Sequence, residues 1–276
     1  MDHTLDRHGA VAVVTLARPE RLNALGIDGF GGLADGFEEL AGDDRVRAVV
    51  VTGAGRAFCA GASLDTLLPD IGTSPDGGID PDRMRGHFDG AVNRMMRALW
   101  EMPKPVVTAV NGLASGGGVG LALAGDVVLA AREAYFHLPF VPQLAIVPDC
   151  GASWVTSRLA GRGRALAAML TGERISAETA AGWGLVWQVH EGDELLERAL
   201  ALAGRLAEGP VDMTRDLRHA VDAALCQDLG AQLDRERDVN VRLCAGADFA
   251  EGVAAFLDKR RPAFGKRRAS EPGGDA

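Results

Sequence analysis

The sequence predicts an α/β fold built around a largely parallel sheet. In the first half of the chain, short branched apolar runs closed by turn residues alternate with amphipathic stretches, which implies βαβ units. The second half is a close succession of helical patterns. Glycine contributes 36 of the 276 residues, about twice its usual share, so the backbone must turn sharply or pack closely at many points.

Four buried strands and two helices are predicted in the first half. The strands are the apolar runs at residues 11–16, 47–52, 105–110 and 126–131. Residues 28–40 and 82–101 carry helical spacing. In the second of these stretches the following apolar side chains share one face: Met84, Phe88, Val92, Met95, Met96 and Leu99. Residues 65–81, rich in Gly, Pro and Asp, are predicted to form a mobile loop.

The second half is predicted to be mostly helical. Helical patterns lie at residues 164–170, 176–183, 193–207, 210–224, 230–244 and 248–259, with one short strand at 185–189. Helices after position 190 without an intervening strand suggest an extension that packs on a neighbouring subunit. We therefore predict a core domain of residues 1–195, a C-terminal helical region of residues 196–264 and a disordered tail of residues 265–276.

The composition argues against several classes of function. The chain has 29 Lys+Arg and 38 Asp+Glu, a formal net charge of −9, without a basic block that would bind nucleic acid or an anionic membrane. No apolar stretch reaches the ~18–20 residues that span a bilayer, and the start lacks a signal-peptide pattern. The four cysteines show no metal-binding or disulfide spacing. We expect a cytoplasmic enzyme without a metal site.

Much of the glycine lies in two clusters, VVVTGAGRAFCAGASL at residues 49–64 and NGLASGGGVGLALAGD at residues 111–126. Bare backbone amides at the start of a helix can bind anionic groups, because their N–H groups point outward along the helix dipole. The clusters contain no GxGxxG, GK[ST] or GxSxG pattern, so they are not a dinucleotide fingerprint, a P-loop or a nucleophile elbow. Taken alone, the glycines could equally serve close packing of helices on strands.

Together with RPERLNAL at residues 18–25 and PDCGAS at residues 148–153, the two clusters resemble the enoyl-CoA hydratase/isomerase (crotonase) superfamily. The resemblance runs through FLDKRRPAF at residues 256–264. Residues 146–189 are most similar to the phenylacetate-pathway branch, the isomerases of ring-epoxidised phenylacetyl-CoA. The resemblance implies a crotonase (ClpP-like) spiral of ββα units with a C-terminal helical trimerisation region. It also implies a homotrimer or a dimer of trimers.

The resemblance implies how the substrate is held. Family members convert an acyl-CoA thioester into an enolate that two backbone N–H groups stabilise, and the matching donors here are Ala62 and Gly117. Fixed amides in a dry site stabilise such an oxygen better than water does. The substrate is carried on coenzyme A, and no permanently bound cofactor is implied. The residues implied in coenzyme A binding are Arg21, Ala60, Ala62, Leu64, Phe264 and Lys266. Ser63 replaces the family's usual Asp.

The resemblance also shows which of the family's catalytic carboxylates this sequence has. The two glutamates that hydratases of the family use correspond to Gly120 and a position near Phe140. Because neither is acidic, ordinary hydratase activity is not expected. The remaining acid is Asp149, and isomerases of the family carry an acid at that place. One carboxylate can remove a proton and return it elsewhere.

The surroundings of Asp149 bear on its role. Burial among Ile146, Val147 and Cys150 should raise the pKa of its carboxyl, which suits a proton shuttle. The alternative is an N-cap of the helix that starts near Gly151, where Asp is common.

Several candidates remain open beside this leading hypothesis. His87 and His137 join Gly120 and Phe140 as candidate pocket residues. The alternative is a solvated helix histidine for His87 and a core histidine for His137. The leading hypothesis is an acyl-CoA isomerase that shifts a double bond or rearranges a ring epoxide. The alternatives are a hydrolase or lyase with Asp149 as nucleophile or base, and a catalytically silent acyl-CoA-binding subunit.

Overall fold

The structure, a computed structural model, describes residues 2–74 and 76–265. Lys266 and the rest of the predicted tail beyond Gly265 lie outside the described residues. The strands of the described chain are β1 (His3–His8), β2 (Val11–Leu16), β3 (Ala48–Gly53), β4 (Ala57–Cys59), β5 (Val106–Val110), β6 (Leu113–Ser115), β7 (Val127–Ala131), β8 (Tyr135–His137), β9 (Ile175–Ser176) and β10 (Gln188–His190).

The α-helices of the same ranges are α1 (Ile27–Gly42), α2 (Leu64–Ile71), α3 (Pro81–His87), α4 (Asn93–Trp100), α5 (Gly117–Leu123), α6 (Ala152–Ala160), α7 (Arg162–Thr171), α8 (Ala177–Gly182), α9 (Leu195–Ala207), α10 (Thr214–Ala224), α11 (Leu229–Cys244) and α12 (Ala247–Leu257). Short 3₁₀ turns lie at Pro19–Arg21 and Val211–Met213, and π-helical turns at Phe88–Val92 and Phe140–Leu144. The helix predicted over 82–101 is therefore present as α3, a π-helical turn and α4.

Two sheets form the core. The larger has the order β1-β2-β3-β5-β7-β10, and the smaller has the order β4-β6-β8-β9. Neighbouring strands are parallel except in the pairs β1–β2 and β8–β9. Each of the pairs β3–β4, β5–β6 and β7–β8 places its first strand in the large sheet and its second in the small one, and helices follow. This winding is the predicted spiral of ββα units.

The large sheet is covered by α9, which packs across β2, β3, β5 and β7. Arg47 anchors the end of this helix, because its Nε donates to Ala207 O at 2.7 Å and its Nη2 to Gly209 O at 2.8 Å. A guanidinium at the C-terminus satisfies carbonyls that have no partner within the helix. The predicted C-terminal region includes α9, although this helix packs on the core sheet, and the boundary at residue 195 stays a prediction.

Two predicted elements are wrong. The loop predicted over 65–81 contains α2, because Leu67 and Ile71, four residues apart, bury one face of a helix. The strand predicted at 185–189 begins only at Gln188, where pairing with β7 starts. Leu185 is buried in the turn before it. In addition, β1 was not predicted, because its largely exposed residues carry no apolar periodicity.

The C-terminal helices α10 to α12 are anchored to the core at one side. Arg218 of α10 pairs with Asp126, and its Nη1 and Nη2 donate to Trp100 O at 3.0 Å and Lys104 O at 2.8 Å. The three helices also carry large apolar side chains that are exposed: Leu217, Val221, Leu225, Leu229, Leu233, Val241, Phe249, Val253, Phe256 and Leu257. No helix in the described part of the chain is long and apolar enough to cross a membrane.

Candidate active site

Two glycine turns bring the end of β4 against the start of α5. Gly61 and Gly116 have φ values of +89° and +56°, a backbone region in which a side chain would be strained. A Cβ on Gly61 would lie 3.2 Å from Gly117 N, so the two turns are in direct contact. The residues that follow these glycines, Ala62 and Gly117, are the two predicted N–H donors.

Both predicted donors are unpaired. Gly61 O accepts a hydrogen bond from Leu25 N and Ser63 N donates one to Leu25 O, both at 2.8 Å, which leaves the intervening N–H of Ala62 out of the ladder. Among the described residues, neither the Ala62 N–H nor the Gly117 N–H donates a hydrogen bond. Two unpaired amides on adjoining turns, one at the first residue of a helix, can donate hydrogen bonds to a developing oxyanion.

The carboxylate of Asp149 faces the same helix start. A Cβ on Gly117 would lie 3.1 Å from Asp149 Oδ1 and 2.8 Å from Cys150 Sγ. The structure therefore brings Asp149, Ala62 and Gly117 together, as the sequence predicts for the site. A side chain at position 117 would displace the carboxylate or the thiol.

Asp149 does not act as an N-cap. The N-cap of α6 is Gly151 without a side-chain hydrogen bond, and only the backbone O of Asp149 accepts from Ala152 N, at 2.8 Å. The buried Oδ1 has no hydrogen-bond partner among the described residues. Burial raises the pKa of the Asp149 carboxyl, and the neighbouring Cys150 thiol and the backbone N–H of Asp149 oppose this to a smaller extent.

The source of this burial differs from the prediction. Ile146 and Val147 are 49% and 79% exposed, so they do not enclose the carboxylate. The groups that pack against it are Cys150, which is 5% exposed, and the start of α5 at Gly117. The expected direction of the pKa shift and the burial beside Cys150 are confirmed, but the assignment of Ile146 and Val147 is wrong.

The two positions assigned to hydratase glutamates have no acid and little room. A Cβ on Gly120 would lie 2.1 Å from Cys150 O, so α5 packs too closely on the Asp149–Gly151 turn for any side chain. The ring of Phe140, which is buried, lies 3.9 Å from the Cβ position of Gly116. Phe140 therefore packs on the glycine turn that precedes the second donor.

The two candidate histidines lie in different places. His137 in β8 accepts from Gly116 N through its backbone O at 3.0 Å, and its Nδ1 lies 3.2 Å from Ser115 Oγ. Burial, with Arg174 nearby, lowers the pKa of His137. This histidine supports the turn next to the donors, and no contact joins it to Asp149 among the described residues.

His87 is buried at the end of α3. Its ring meets the Phe30 ring edge-on with centroids 5.7 Å apart, and burial lowers its pKa. It lines a cavity of about 660 Å³ between α1 and the α3 region, together with Gly31 and Arg83. The structure thus places His87 in a cavity wall, and within the described chain it makes no contact with Asp149.

Of the predicted coenzyme A residues near the first glycine cluster, Arg21 lies in a polar group with Ser63 and Asp65. Arg21 Nη1 pairs with Asp65 Oδ2 at 2.7 Å, and Ser63 Oγ donates to Asp65 Oδ1 at 2.6 Å. Ser63 stands where the family usually has Asp, and the carboxylate of Asp65, two residues later, lies beside it. Leu64 is exposed as the first residue of α2, and Ala60 N donates to Leu22 O at 2.9 Å.

Phe264 lies against its own chain. Its ring approaches to 3.6 Å from the Cβ position of Gly252 in α12 and helps to line an apolar cavity of about 460 Å³ between α11 and α12. Whether it reaches coenzyme A in a neighbouring subunit stays a prediction. Its predicted companion Lys266 lies outside the described residues.

Asn23 is a site-supporting residue that the sequence analysis did not single out. It is 1% exposed, its Oδ1 accepts from Arg18 N at 2.9 Å, and its Nδ2 donates to Ala54 O at 2.9 Å and Ala57 O at 2.8 Å. The side chain thus links the RPERLNAL motif at residues 18–25 to β4. A lone amide inside the apolar LNAL segment was the available signal.

Comparison with known proteins agrees with this geometry. The enoyl-CoA hydratase/isomerase family model matches residues 6–267. The 1,2-epoxyphenylacetyl-CoA isomerase of Escherichia coli K12 is 42% identical over 255 residues, 92% of this chain and 94% of that protein. A short-chain-enoyl-CoA hydratase of Clostridium acetobutylicum is 32% identical, over 93% and 95%. The crystal structure of an enoyl-CoA hydratase from Polaromonas sp. JS666 has a TM-score of 0.87 at 32% identity, covering 95% and 99%.

Proposed function

Because the chain belongs to the enoyl-CoA hydratase/isomerase family, we propose that it is an acyl-CoA isomerase with Asp149 as the group that moves the proton. One observation carries the proposal: the buried Asp149 Oδ1 has no partner among the described residues and faces Gly117, whose N–H is also unpaired. A base and an oxyanion donor that stand side by side suit the formation of an enolate from a thioester.

The proposed reaction needs one carboxylate. The thioester oxygen accepts hydrogen bonds from Ala62 and Gly117, and the Asp149 carboxylate takes a proton from a carbon conjugated with the thioester. The C–H electron pair then forms the enolate, whose negative oxygen the two amides stabilise. Loss of one such donor typically costs ~10²–10³ in rate. The carboxylic acid finally returns its proton at another carbon, which shifts the double bond without adding water.

A substrate that carries a ring epoxide suits the same site. The enolate electrons would break one C–O bond of the epoxide and leave an alkoxide. The acid form of Asp149 would return the proton to that oxygen, so the product is an isomer of the substrate. The relative named 1,2-epoxyphenylacetyl-CoA isomerase, at 42% identity, supports this class of substrate. Hydration is disfavoured because Gly120 leaves no space for a second acid beside Asp149.

Proton exchange in deuterated water tests the proposal. A panel of unsaturated and ring-epoxidised acyl-CoA thioesters is incubated with the enzyme, and deuterium at carbon is measured. Asp149→Asn should lower exchange by ~10²–10⁴-fold. Glu197→Gln, at an exposed acid of α9, is the matched control.

Three outcomes would contradict the proposal. Undiminished exchange in Asp149→Asn would remove Asp149 from the proton transfer. An acyl or aryl adduct on Asp149 during a single turnover would favour the hydrolase alternative. Binding of thioesters without any exchange or turnover would favour a silent acyl-CoA-binding subunit.

We further propose that the protein assembles as a homotrimer or a dimer of trimers. The exposed apolar side chains of α10 to α12 support this, because many large exposed apolar residues on three successive helices are typical of a protein interface. Phe256, which is 83% exposed, lies in the last of these helices.

A further inference from the structure

The glycine turn before the second donor has to be fixed by its neighbours. Gly116 has φ +56° and ψ −131°, a conformation that residues with a side chain rarely adopt, and two more glycines follow it. Glycine loses more backbone freedom on folding than any other residue, so such a segment does not hold one conformation by itself. The direction of the Gly117 N–H therefore depends on what is bonded to the N-terminal side of the turn.

His137 holds that side of the turn through both its backbone and its side chain. Ser115 and His137 are the last residues of β6 and β8 and lie opposite each other in this parallel pair. The backbone O of His137 accepts from Gly116 N at 3.0 Å. The side chains add a second contact, because Ser115 Oγ and His137 Nδ1 are hydrogen-bonded at 3.2 Å. Ser115 and Gly116 are thus tied to the same residue.

Ser115 also packs on the turn of the first donor. A Cβ on Gly61 would lie 2.8 Å from Ser115 O and 3.2 Å from Gly117 N. The backbone of Ser115 therefore lies between the glycine that precedes Ala62 and the turn that leads to Gly117. A shift of Ser115 would change how the two donor N–H groups are placed relative to each other.

The surroundings suit a hydrogen bond between two uncharged groups. Ser115 is 8% exposed, so water competes little for its hydroxyl. Burial and, to a smaller extent, the charge of Arg174 lower the pKa of His137, so the ring is uncharged at neutral pH. A neutral imidazole has one donor and one acceptor nitrogen, and a hydroxyl can pair with either.

We propose that Ser115 and His137 are positioning residues of the oxyanion site: the hydrogen bond between their side chains fixes the end of β6, and with it the direction of the Gly117 N–H relative to the Ala62 N–H. This inference rests on the proposed function, because it assumes that these two amides hold the thioester oxygen. In this role both side chains act through the backbone of Gly116 and need no contact with the substrate.

The carbonyl stretching frequency of a bound thioester tests the inference. Hydrogen bonds from the two donors weaken the C=O bond and lower this frequency. Octanoyl-CoA, isotopically labelled at its carbonyl carbon, is bound to the unmodified enzyme, to Ser115→Ala and to His137→Leu, and infrared difference spectra are recorded. Both variants should lose part of the shift to lower frequency. In proton exchange their kcat should fall about tenfold with KM little changed, less than the ~10²–10³ typical of losing a whole donor.

Two further variants separate positioning from a general loss of stability. Ser176→Ala is the matched control, because this serine lies in the same small sheet and its hydroxyl accepts from Thr179 N at 3.2 Å as the N-cap of α8. Loss of the cap should destabilise the protein but leave the carbonyl frequency in place. His137→Asn keeps a hydrogen-bonding atom near the position of Nδ1 and should retain more of the shift than His137→Leu. Equal frequencies in these two variants would overturn the role of the side-chain hydrogen bond.

A double variant shows whether the two side chains act as a pair. Ser115→Ala combined with His137→Leu should lose no more of the frequency shift than the more affected single variant, because each change removes the same hydrogen bond. Losses that add up in the double variant would overturn the pairing.

The spectra also separate the inference from the proposed function. If the unmodified enzyme lowers the carbonyl frequency and every variant lowers it equally, the role of Ser115 and His137 is wrong and the proposed function stands. If the unmodified enzyme lowers the frequency of no bound thioester, the two amides are not an oxyanion site and the proposed function itself fails.

Discussion

Gly117 and Gly120 lie one turn apart on α5, and each lacks a Cβ for a different reason. At Gly117 the space is filled by the Asp149 carboxylate and the Cys150 thiol, the groups of the site itself. At Gly120 it is filled by the carbonyl of Cys150, which belongs to the turn that presents Asp149. Gly117 thus leaves room for the side chains of Asp149 and Cys150, and Gly120 leaves room for the backbone of the turn that carries them. A residue with a side chain at either position would move Asp149.

Gly120→Ala should destabilise the protein, because the added Cβ meets Cys150 O at 2.1 Å. Overpacking of this kind typically costs about 1–3 kcal/mol. Proton exchange should fall as well, since the turn that carries Asp149 must shift. Denaturant unfolding and the exchange assay measure the two effects.

Gly163→Ala is the matched control for Gly120→Ala. A Cβ on this exposed glycine of α7 would meet nothing within 4 Å, so the free energy of unfolding should stay level or rise by ~0.5–1 kcal/mol. Equal unfolding free energies in the two variants would contradict the packing argument. Hydratase activity in Gly120→Glu would contradict it as well.

The ionised Asp149 carboxylate should lower the free energy of unfolding at neutral pH. Burial raises its pKa in the folded state, so between the ordinary Asp value of ~3.9 and the raised value the folded chain binds more protons than the unfolded chain. The free energy of unfolding therefore falls as pH rises through this window. Asp149→Asn should raise the melting temperature at pH 7, and the gain should vanish in acid.

Calorimetry of both proteins from pH 3 to pH 7 measures this difference. Glu197→Gln, at an exposed site, should leave the melting temperature unchanged at both ends of the range. A lower melting temperature for Asp149→Asn throughout would show that the carboxylate stabilises the fold instead.

Among the elements, β4 and α5 are the two that lead to the predicted oxyanion donors, and the RPERLNAL motif at residues 18–25 holds the first of them. Asn23 accepts from Arg18 N within the loop after β2 and donates to Ala54 O and to Ala57 O, the latter in β4. Leu25 pairs with the segment that carries Ala62. Gly116 N is held from the other side by β8 through His137 O. The donors are thus backbone groups fixed by neighbouring strands.

Asn23→Ala should destabilise the protein by at least ~1–3 kcal/mol, the usual cost of leaving one buried polar group without its partner. The backbone adds to this, because φ at Asn23 is +57°, which asparagine tolerates better than alanine. Denaturant unfolding measures the loss. Asn240→Ala, at an exposed site on α11, should stay within ~0.5 kcal/mol, and a comparable loss there would contradict the argument.

Arg21 is one of the residues for which the family resemblance implies contact with coenzyme A. It is held by Asp65, and Ser63 by the same carboxylate. If Arg21 makes this contact, Arg21→Ala removes binding that the ground state and the transition state share. KM for acyl-CoA thioesters should then rise several-fold with kcat little changed.

Steady-state kinetics with one thioester substrate checks this expectation. Arg198→Ala, at an exposed ion pair of α9, is the control and should alter neither constant. A fall in kcat at unchanged KM in Arg21→Ala would place Arg21 in the chemical step instead.

At the scale of the whole molecule, the C-terminal helical region both contacts the core and exposes apolar side chains. Arg218 fixes α10 to the core through Asp126 and the carbonyls of Trp100 and Lys104, so this region has a defined position on its own chain. Its three helices expose leucine, valine and phenylalanine side chains. Such a surface is costly in water unless another protein surface covers it.

Phe256→Glu should therefore shift the assembly toward smaller species. A charge placed at an apolar interface is desolvated on assembly, which opposes association. Light scattering after size exclusion measures the molar mass. Lys259→Glu, three residues away and also exposed, tests whether charge alone has this effect. An unmodified protein that is monomeric at all concentrations would overturn the proposed assembly.

Local patterns in the sequence were sufficient for most of the core. The strand at Val11–Leu16 and the helix containing Asp28–Leu40 follow from apolar periodicity, which neighbouring residues set by themselves. The glycine clusters and Asp149 followed from motifs, and the structure brings them together. The helix α2 escaped prediction because residues 65–81 are rich in Gly, Pro and Asp, and Pro69 lies inside the helix itself.

The amino-acid order was enough to place glycine before each donor and an acid in the PDCGAS segment, because these are properties of single positions. It could not show what lies next to them. Only the folded chain puts Asp149 against Gly117, exposes Ile146 and Val147, and sets the Cys150 carbonyl where a side chain at Gly120 would stand. Each of these depends on the approach of segments far apart in sequence, which packing of the two sheets and α5 decides.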